Sequence, residues 1–480
     1  MFAFRLALSA NPMFKIVLPV LLLIGIMSTG AYRKPWRFEN HWRSDLLFAH
    51  QLLTTAKAGK QAQPAGSAPQ RQVPPGYPAV LAGFAVLDPR VATGLACYGL
   101  QGENCTMAAP FGIIVGAQIA AGVATLVFVF LLAIELTGSR MIGILTVTMF
   151  ILMGRLGEHA RFLEQDNFHQ LLMFAGFLAA ATGYRKHPIA LSACAGVLIG
   201  AAALFHPYYV YLLMLVPLAM AAWVHARGAD PGTARTLVVG QIAFAVCGLL
   251  VVMPWAVRNL VLFGDPMLSD VYESYQFAQR IAYNGMTAPE TLLAIIHWIP
   301  TNGDDLARFL FGSKTRVQLG GTGPGTYFHA GQGIYSAAAA ASAGRNPMYW
   351  LLTEHPSYWR HLAVTPSIFT RGMWGSHGFM AYIGMACLPR LARHLRASSQ
   401  RDAGLTVMIA AGLLTLVHAL LTPNFYWFNA PMLFVMALAT SHALATLSAS
   451  RPRFVNVLIG AGMLIWGGMI LLRLYRNDLW

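Results

Sequence analysis

The stretch LVVGQIAFAVCGLLVVMPW, residues 237–255, carries no charged side chain and is long enough to cross a lipid bilayer as a single helix. A transmembrane helix needs about 20 predominantly apolar residues. By this criterion the sequence predicts about eleven transmembrane helices. Besides Leu237–Trp255, they are Phe14–Gly30, Gly112–Leu136, Met141–Met153, Phe168–Gly183, Ala190–Phe205, Tyr208–Val224, Trp374–Leu388, Leu405–Leu421, Ala430–Leu447 and Val455–Leu472.

Composition places the whole chain in the same class. Of its 480 residues, 56% are hydrophobic and 11% are charged, whereas soluble domains carry about 25% charged residues. The first span, Phe14–Gly30, follows a short basic start, and Ala31–Trp36 is a poor cleavage site for a signal peptide. We therefore predict an all-α polytopic membrane protein that retains its first helix.

Two long polar stretches, Tyr32–Pro110 and Arg258–Arg371, interrupt the apolar sequence. Cytoplasmic loops of membrane proteins carry an excess of Lys and Arg. If the N-terminus is cytoplasmic, the short loops on that side contain Arg140, Arg185, Lys186, Arg227, Arg235, Arg390, Arg393, Arg396, Arg401, Arg451 and Arg453. The opposite short loops, His206-Pro207 and Thr422–Phe425, contain neither residue type. Both polar stretches are therefore predicted to be extracytoplasmic loops of a multi-pass plasma (inner) membrane protein.

Spans and loops divide the chain into three predicted parts. Residues 1–255 form a seven-helix transmembrane module that includes the first loop, 32–110. Residues 256–373 form an extracytoplasmic region, and residues 374–480 hold the C-terminal transmembrane helices. Within the loops, the sequence predicts interfacial helices at Ser44–Lys57 and Ala79–Leu87 and further helices at Tyr272–Tyr283, Pro289–Trp298 and Pro347–Phe369. The Gly-rich segment Gly320–Gly333 predicts disorder or a lid.

Charge and cysteine content restrict the partners. The formal net charge of +15 fits the cytoplasmic excess of Lys and Arg together with contact to anionic lipid. Nucleic acid is not a predicted partner, because no basic run is interleaved with aromatic residues in a polar segment. Cys97 and Cys105 lie close in the first loop, where a disulfide is chemically permitted, and the sequence leaves their pairing open.

Asp45 is the first candidate for chemistry, because it opens the helix predicted after the first span. An acidic residue in the first turn of a helix is stabilised by the macrodipole, which is the structural interpretation. A carboxylate near an apolar surface is also a plausible general base, because burial raises its pKa toward neutrality. Asp45 alone does not decide between the two interpretations.

Asp45 belongs to an ordered set of motifs. Asp45-x-x-Phe48-Ala49 comes first, followed by Pro74-Pro75-Gly76-Tyr77-Pro78, and the seventh span ends in Pro254-Trp255-x-x-Arg258-Asn259 and Phe263-Gly264-x-Pro266. Together with Glu354-His355-Pro356-x-Tyr358, this set resembles the GT-C superfamily of membrane glycosyltransferases, in particular the glycosyltransferase 39 and aminoarabinose-transferase-like group. The resemblance runs from residue 14 to about residue 375.

The resemblance implies a GT-C fold, with a conserved seven-helix module and a large loop after it. It also implies a polyprenyl-phosphate sugar as donor, and an aspartate of the first loop, here Asp45, that activates the acceptor. Two positions depart from the family pattern. Leu46 stands where a second acidic residue often follows the aspartate, and Val73 stands where a basic residue commonly precedes the Pro-Pro pair.

The predicted donor contacts follow from the chemistry of such a ligand, whose phosphate requires cations and whose sugar requires hydrogen bonds. Arg258 is suited to the phosphate because a guanidinium binds it bidentately; an interfacial anchor is the alternative. His206 is a second candidate for the phosphate, with packing as its alternative. Arg155, Tyr77 and Arg43 complete the predicted donor-phosphate or substrate contacts.

The loop between the third and fourth spans, Arg155–Asp166, holds many charges. Solvation of an exposed loop explains them structurally. The functional alternative places Glu164 or Asp166 beside Asp45, where they share acceptor activation or bind a divalent cation. Carboxylates without a fixed spacing do not identify a metal site, so no obligatory metal or other cofactor is predicted, and a divalent cation stays possible.

The sequence therefore predicts an inverting glycosyltransferase that moves a hexose or pentose from a polyprenyl-phosphate donor to an acceptor on the extracytoplasmic side. Asp45 acts as general base in this scheme. The sugar stays open, as does the acceptor, which is a glycan, a lipid or a protein. Two other functions compete: a lipid or polysaccharide transporter or flippase, and a non-catalytic membrane protein with the GT-C fold.

Overall fold

The computed structural model of the protein is helical, and no strand occurs among the residues that it describes. These residues are 43–58, 73–107, 110–153, 163, 165–183, 186–227, 231–264, 266–269, 278, 280–300, 302–312, 326–341, 359–377, 379–396, 406, 409–415 and 430–450. The helices are α1 (Arg43–Ala58), α2 (Gly76–Leu87), α3 (Pro89–Gln101), α4 (Gly112–Thr137), α5 (Arg140–Met153), α6 (Asp166–Gly183), α7 (Pro188–Phe205), α8 (Leu212–Arg227), α9 (Pro231–Phe263), α10 (Ala288–His297), α11 (Gly303–Phe311), α12 (Tyr327–Ala341), α13 (Arg360–His377), α14 (Phe379–Arg396) and α15 (Ala430–Ser450).

Among the described residues, four stretches are long and apolar enough to cross a membrane: Gly112–Thr137, Pro188–Phe205, Gly232–Phe263 and Ala430–Ser448. They confirm a multi-pass, all-α membrane protein. The predicted number of about eleven spans is not confirmed. The shorter predictions Met141–Met153 and Phe168–Gly183 coincide with the helices α5 and α6, whereas Phe14–Gly30 and Val455–Leu472 lie outside the described residues.

Helices α7 and α9 approach each other backbone to backbone. A Cβ atom added at Gly196 of α7 would lie 2.0 Å from the carbonyl oxygen of Phe244 in α9, and one at Gly200 would lie 2.5 Å from the carbonyl oxygen of Gly248. Small residues at one-turn spacing permit such contact between membrane helices. The two helices belong to one hydrophobic core with α4, α5, α6, α8, α14 and α15.

Helix α9 continues two turns beyond the predicted end of the seventh span. The predicted span, Leu237–Trp255, ends one residue after Pro254, which has no N–H to continue the helical hydrogen bonds. In the structure Pro254 lies inside α9, which ends at Phe263, and membrane helices tolerate such prolines where neighbours satisfy the freed backbone groups. Arg258 therefore lies on a helix and not in a loop, and the predicted boundary at residue 255 divides a continuous element.

Part of the first polar stretch folds into a compact unit, here called the first-loop bundle, which consists of α1, α2, α3 and the 3₁₀ turn Gly102–Asn104. The predicted helices Ser44–Lys57 and Ala79–Leu87 are confirmed as α1 and α2. The bundle has its own apolar core, which includes Leu46, Leu53, Leu81 and Leu95. Cys97 and Cys105 form a disulfide within it, which settles the pairing that the sequence leaves open.

Helix α3 is absent from the predicted elements, although its start carries a recognisable signal. Asp88 caps the helix by accepting a hydrogen bond from the Arg90 N–H at 2.9 Å, and Pro89 occupies the first helical position. Asp as N-cap followed by Pro is a common helix start. Pairing with Arg90, through a side-chain hydrogen bond first of all, lowers the pKa of Asp88 below its usual range.

The second polar stretch also contains a packed unit, built by α10, α11 and α13 around Leu293, Ala307, Val364 and Ile368. The predicted helix Pro289–Trp298 is confirmed as α10. For Gly320–Gly333 the predicted disorder is wrong from Tyr327 onward, because helix α12 begins there, and the alternative of a lid stays a prediction. Gly331 is buried in α12, where a Cβ atom would lie 2.0 Å from the carbonyl oxygen of Ala278, so at least this glycine serves close packing.

Candidate functional site

An aromatic contact joins the first-loop bundle to the end of α9. The ring centroid of Phe48 in α1 lies 5.6 Å from that of Trp255 in α9. On the same indole, the guanidinium carbon of Arg258 lies 4.2 Å from the ring centroid. The planes of the two rings are tilted by 49°. The side chains of Phe48, Trp255 and Arg258 thus form a chain of contacts that connects the two motifs singled out in the sequence.

Asp45 lies in the first turn of α1, one turn before Phe48, and is half-buried. Residues three and four positions apart on a helix are neighbours on the same face. Phe48 and Ala49 are both buried, so Asp45 lies at the edge of the face that α1 packs inward. The helix that contacts Trp255 therefore also presents Asp45, near the end of α9 that carries Arg258.

Arg258 is fixed by its neighbours on α9 and by the chain that follows. Its guanidinium donates to Oδ1 of Asn259 at 2.7 Å, and Nδ2 of Asn259 donates to the carbonyl oxygen of Met267 at 2.6 Å. The indole N–H of Trp255 donates to the carbonyl oxygen of Leu268 at 3.2 Å. The segment after α9 is thereby folded back on the helix end. A guanidinium held in this way is positioned in advance for an anion.

A second group of polar side chains lies where α6 begins and α7 ends, and we call it the His169 cluster. It consists of Asp166, His169, His206 and Tyr209. Nε2 of His169 lies 2.8 Å from Oδ1 of Asp166, and Nδ1 of the same ring lies 3.2 Å from the hydroxyl of Tyr209. The ring of His206 lies edge-on to that of His169, with the centroids 5.3 Å apart.

The His169 cluster is enclosed except at Asp166. His169 and Tyr209 are each 1% exposed and His206 is 0% exposed, whereas the Asp166 side chain is 15% exposed. Polar groups at such depth in a membrane protein tend to face cavities and to carry function. His206 also stacks on Tyr208. Its enclosed ring reaches a ligand only if a neighbour moves, and its contact with the donor phosphate stays a prediction.

The cluster directly adjoins the first-loop bundle. The ring of Tyr77 in α2 lies 6.3 Å from that of Phe168, which precedes His169, and Phe168 lies 6.1 Å from Phe205, which precedes His206. Gly76 permits this contact, because a Cβ atom there would lie 2.7 Å from the Phe205 ring. Asp166 therefore lies on a helix that packs on α2, and Asp45 lies on α1, another helix of the same first-loop bundle.

Two predicted substrate contacts have structural roles here. Tyr77 is 1% exposed and its hydroxyl donates to Oε1 of Gln118 at 3.2 Å, which anchors α2 to α4. Arg43 donates from Nε to the carbonyl oxygen of Gly99 at 3.1 Å and from a terminal nitrogen to that of Leu100 at 2.7 Å, at the end of α3. Their contact with substrate stays a prediction.

The remaining predictions concern Arg155, Glu164 and a metal. Arg155 and Glu164 lie outside the described residues. Among the residues that the structure describes, no group of three or more His, Cys, Asp or Glu side chains is arranged to hold a metal ion. The described candidate residues fall into two groups, Asp45 with Arg258 and the His169 cluster. Their carboxylates, guanidinium and buried imidazole–phenol network are suited to proton transfer and anion binding.

His169 and Tyr209 are not among the site residues predicted from the sequence. His169 follows Asp166 by three residues, and this spacing brings an acid and an imidazole together on one helix face. The sequence shows that spacing, whereas the contact with Tyr209, on the 3₁₀ turn Pro207–Tyr211 after α7, depends on helix packing. Trp255 was noted only as part of a motif, because its contact with Phe48 joins residues far apart in the chain.

Three solved structures of an oligosaccharyltransferase from Archaeoglobus fulgidus have a similar fold. The complex with zinc and sulfate aligns with a TM-score of 0.51 and 13% identity, over 92% of this chain and 51% of that chain. The apo form gives 0.51 and 14%, over 93% and 53%. The enzyme AglB in complex with an inhibitory peptide and a dolichol-phosphate gives 0.50 and 13%, over 92% and 52%. No family model and no curated protein matches the sequence.

These alignments confirm the GT-C resemblance at the level of the fold. The chain shares its fold with these oligosaccharyltransferase structures, and it spans about half the length of the solved structures that it matches. At 13% or 14% identity the likeness shows the fold alone, because one fold hosts unrelated functions.

Proposed function

We propose that the protein transfers a sugar from a polyprenyl-phosphate donor to an acceptor on the extracytoplasmic side of a membrane. The observation that carries this proposal is the contact of Trp255 with both Phe48 and Arg258, which brings the helix of Asp45 to the end of α9. A carboxylate and a guanidinium on adjoining elements are the groups that such a reaction requires. The solved relative with a dolichol-phosphate and an inhibitory peptide supports a lipid-linked donor.

The reaction follows from these roles. Asp45 takes a proton from the acceptor as the acceptor's nucleophilic atom attacks the anomeric carbon of the sugar. The bond between the anomeric carbon and the phosphate oxygen breaks, and polyprenyl phosphate leaves with the bonding electrons. Attack opposite the leaving group inverts the configuration. Arg258 stabilises the negative charge that develops on the departing phosphate. Such stabilisation by preorganised donors is usually the largest single contribution to the rate enhancement.

Asp166 assists at the same site in this proposal. It lies at the exposed edge of the His169 cluster, on a helix that adjoins the first-loop bundle. With Glu164 it orients the acceptor or, alternatively, holds a divalent cation; an obligatory metal is not proposed. His206 and Arg155 are proposed to contact the donor near its phosphate, and Tyr77 and Arg43 to maintain the surrounding elements as well as any substrate contact.

The test uses the full chain in lipid nanodiscs, a panel of radiolabelled polyprenyl-phosphate hexoses and pentoses, and solubilised cell-envelope material as acceptor source. Asp45→Asn is expected to lower label transfer by about 10²–10⁴-fold, the typical contribution of a general base. Asp88→Asn is the matched control, because asparagine still caps α3, and it is expected to transfer at the wild-type rate.

Two results would contradict the proposal. Full transfer by Asp45→Asn at wild-type protein level would remove Asp45 as the base. Movement of intact donor between leaflets by the wild type, with no transfer of sugar from any member of the panel, would favour the flippase alternative.

A further inference from the structure

We infer that His169 is a positioning residue that holds the carboxylate of Asp166, and that Tyr209 fixes the imidazole tautomer that does so. This inference deepens the proposed function and rests on the role given there to Asp166. It is carried by the two hydrogen bonds of one buried ring, one to a carboxylate at the exposed edge of the cluster and one to a buried phenol.

The tautomer follows from the chemistry of the two partners. An ionised carboxylate only accepts hydrogen bonds, so Nε2 of His169 must donate to Oδ1 of Asp166. In a neutral imidazole with its proton on Nε2, Nδ1 is an acceptor, and the hydroxyl of Tyr209 can then only donate to it. For a neutral imidazole, this is the assignment that satisfies all three groups. A hydrogen bond to one ring nitrogen thus decides which nitrogen carries the proton.

The elements that carry the three groups restrict their motion. Asp166 and His169 lie one turn apart at the start of α6, and the His169 N–H is bonded to the carbonyl oxygen of Gln165 at 3.2 Å. Tyr209 lies on the 3₁₀ turn that follows α7, and its N–H is bonded to the carbonyl oxygen of His206 at 3.1 Å. Because α6 and α7 pack together, the Tyr209 phenol reaches the His169 imidazole from the turn that follows α7.

The aromatic surroundings also fix the plane of the imidazole. The His169 ring is flanked by His206 at 5.3 Å and by Tyr209 at 5.4 Å between ring centroids. An imidazole with 1% exposed surface and ring neighbours on two sides cannot rotate without displacing them. The carboxylate of Asp166, which is more exposed, therefore takes its orientation from the ring and not the reverse.

The first experiment needs no sugar transfer. The full chain is labelled with ¹⁵N-histidine in nanodiscs, and the His169 signals are assigned by their loss in His169→Gln. At neutral pH the expected spectrum has a protonated Nε2 and an unprotonated Nδ1. Tyr209→Phe removes the hydroxyl alone and is expected to give a mixture of both neutral tautomers. A proton on Nδ1 in the wild type, or identical spectra for wild type and Tyr209→Phe, would overturn the inference.

The second experiment measures kcat and KM for the donor. Misplacing a reacting group by about 1 Å costs about 100-fold in rate, so His169→Phe, which cannot donate to Asp166, is expected to lower kcat by about 100-fold with KM unchanged. His169→Gln places an amide donor near the position of Nε2 and is expected to recover most of that loss. His442→Gln, which alters another buried histidine on α15, is the control and is expected to behave as wild type.

The two experiments separate the two proposals. If the tautomer result holds but the wild type transfers no sugar, the proposed function fails and the structural assignment of His169 stands. If transfer depends on Asp45 while His169→Phe and His169→Gln lose kcat equally, the ring matters only for packing and the positioning role is overturned.

Discussion

Replacing Phe48 by alanine is expected to weaken the contact that holds the first-loop bundle against the end of α9. Phe48 is 3% exposed, and its ring centroid lies 5.6 Å from that of Trp255. Truncating a buried phenylalanine lowers the free energy of unfolding by about 3–5 kcal/mol. An aromatic pair contributes about 0.5–1.5 kcal/mol beyond its buried area, and only this smaller amount belongs to the contact with Trp255.

A double-mutant cycle separates the two amounts. The free energy of unfolding is measured in mixed detergent micelles, from the loss of helical circular dichroism, for Phe48→Ala, Trp255→Leu and the double variant. We expect a coupling energy of about 0.5–1.5 kcal/mol. Leu53→Ala is the matched control, because Leu53 is buried on the same helix but in the core of the first-loop bundle. Its effect is expected to add to that of Trp255→Leu within about 0.3–0.5 kcal/mol.

The cycle can refute the structural argument. If the effects of Phe48→Ala and Trp255→Leu on the free energy of unfolding are additive to the same degree as those of the control pair, the contact of Phe48 with Trp255 does not hold the first-loop bundle to α9. Asp45 would then have no fixed relation to Arg258. In the sugar-transfer assay Phe48→Ala, which removes no chemical group from the site, is expected to lower the rate by about 100-fold through misplacement of Asp45.

Three further predictions concern stability. Gly196→Ala is expected to lower the free energy of unfolding by about 1–3 kcal/mol, because the added methyl group would collide with the carbonyl oxygen of Phe244. Unfolding in mixed detergent micelles measures this loss. Arg43→Met is expected to cost about 1 kcal/mol, measured in the same way, because it removes two hydrogen bonds to the end of α3. Glu290 has a pKa below its ordinary value, chiefly because Tyr327 donates a hydrogen bond to it. The stabilisation that Glu290 contributes is therefore fully present at pH values above the ordinary pKa of a glutamate, and it is lost as the pH falls through the lowered pKa. The unfolding temperature measured as a function of pH reports this loss.

Each of these predictions has a control. Gly116→Ala lies in α4, where none of the described residues places an atom within 4 Å of the added Cβ. It is expected to leave stability unchanged or raised, and an equal loss there would contradict the packing argument. Arg90→Met is the control for Arg43→Met, because Arg90 is exposed and its ion pair is with Asp88, two residues before it in the chain. Glu290→Gln is expected to flatten the loss of stability at acid pH, and an unchanged acid loss would assign it to other groups.

The sequence predicted the elements of this fold better than their ends. The alternation in Ser44–Lys57 correctly indicated α1, and the apolar runs correctly located α4, α7 and α15 to within a few residues. The predicted seventh span, Leu237–Trp255, stops short of the end of α9 at Phe263. The helix continues through Pro254, which a membrane bundle tolerates.

The candidate site was predictable only in part. The motifs that contain Asp45 and Arg258 were recognisable in the sequence because they occur in the order that the GT-C resemblance requires. The contact of Phe48 with Trp255 and that of His169 with Tyr209 depend on how distant helices pack, and no local spacing encodes them. The structure adds a role that the motif of Tyr77 did not indicate, because its hydroxyl bonds to Gln118, while its substrate contact stays a prediction.

The most direct test of the account is a cryo-electron microscopy structure of the full chain in nanodiscs with a bound polyprenyl-phosphate hexose. The account predicts phosphate oxygens about 2.7–2.9 Å from the guanidinium of Arg258, with the sugar lying between that group and the carboxylate of Asp45. A donor phosphate bound away from Arg258, with its sugar out of reach of Asp45, would contradict it.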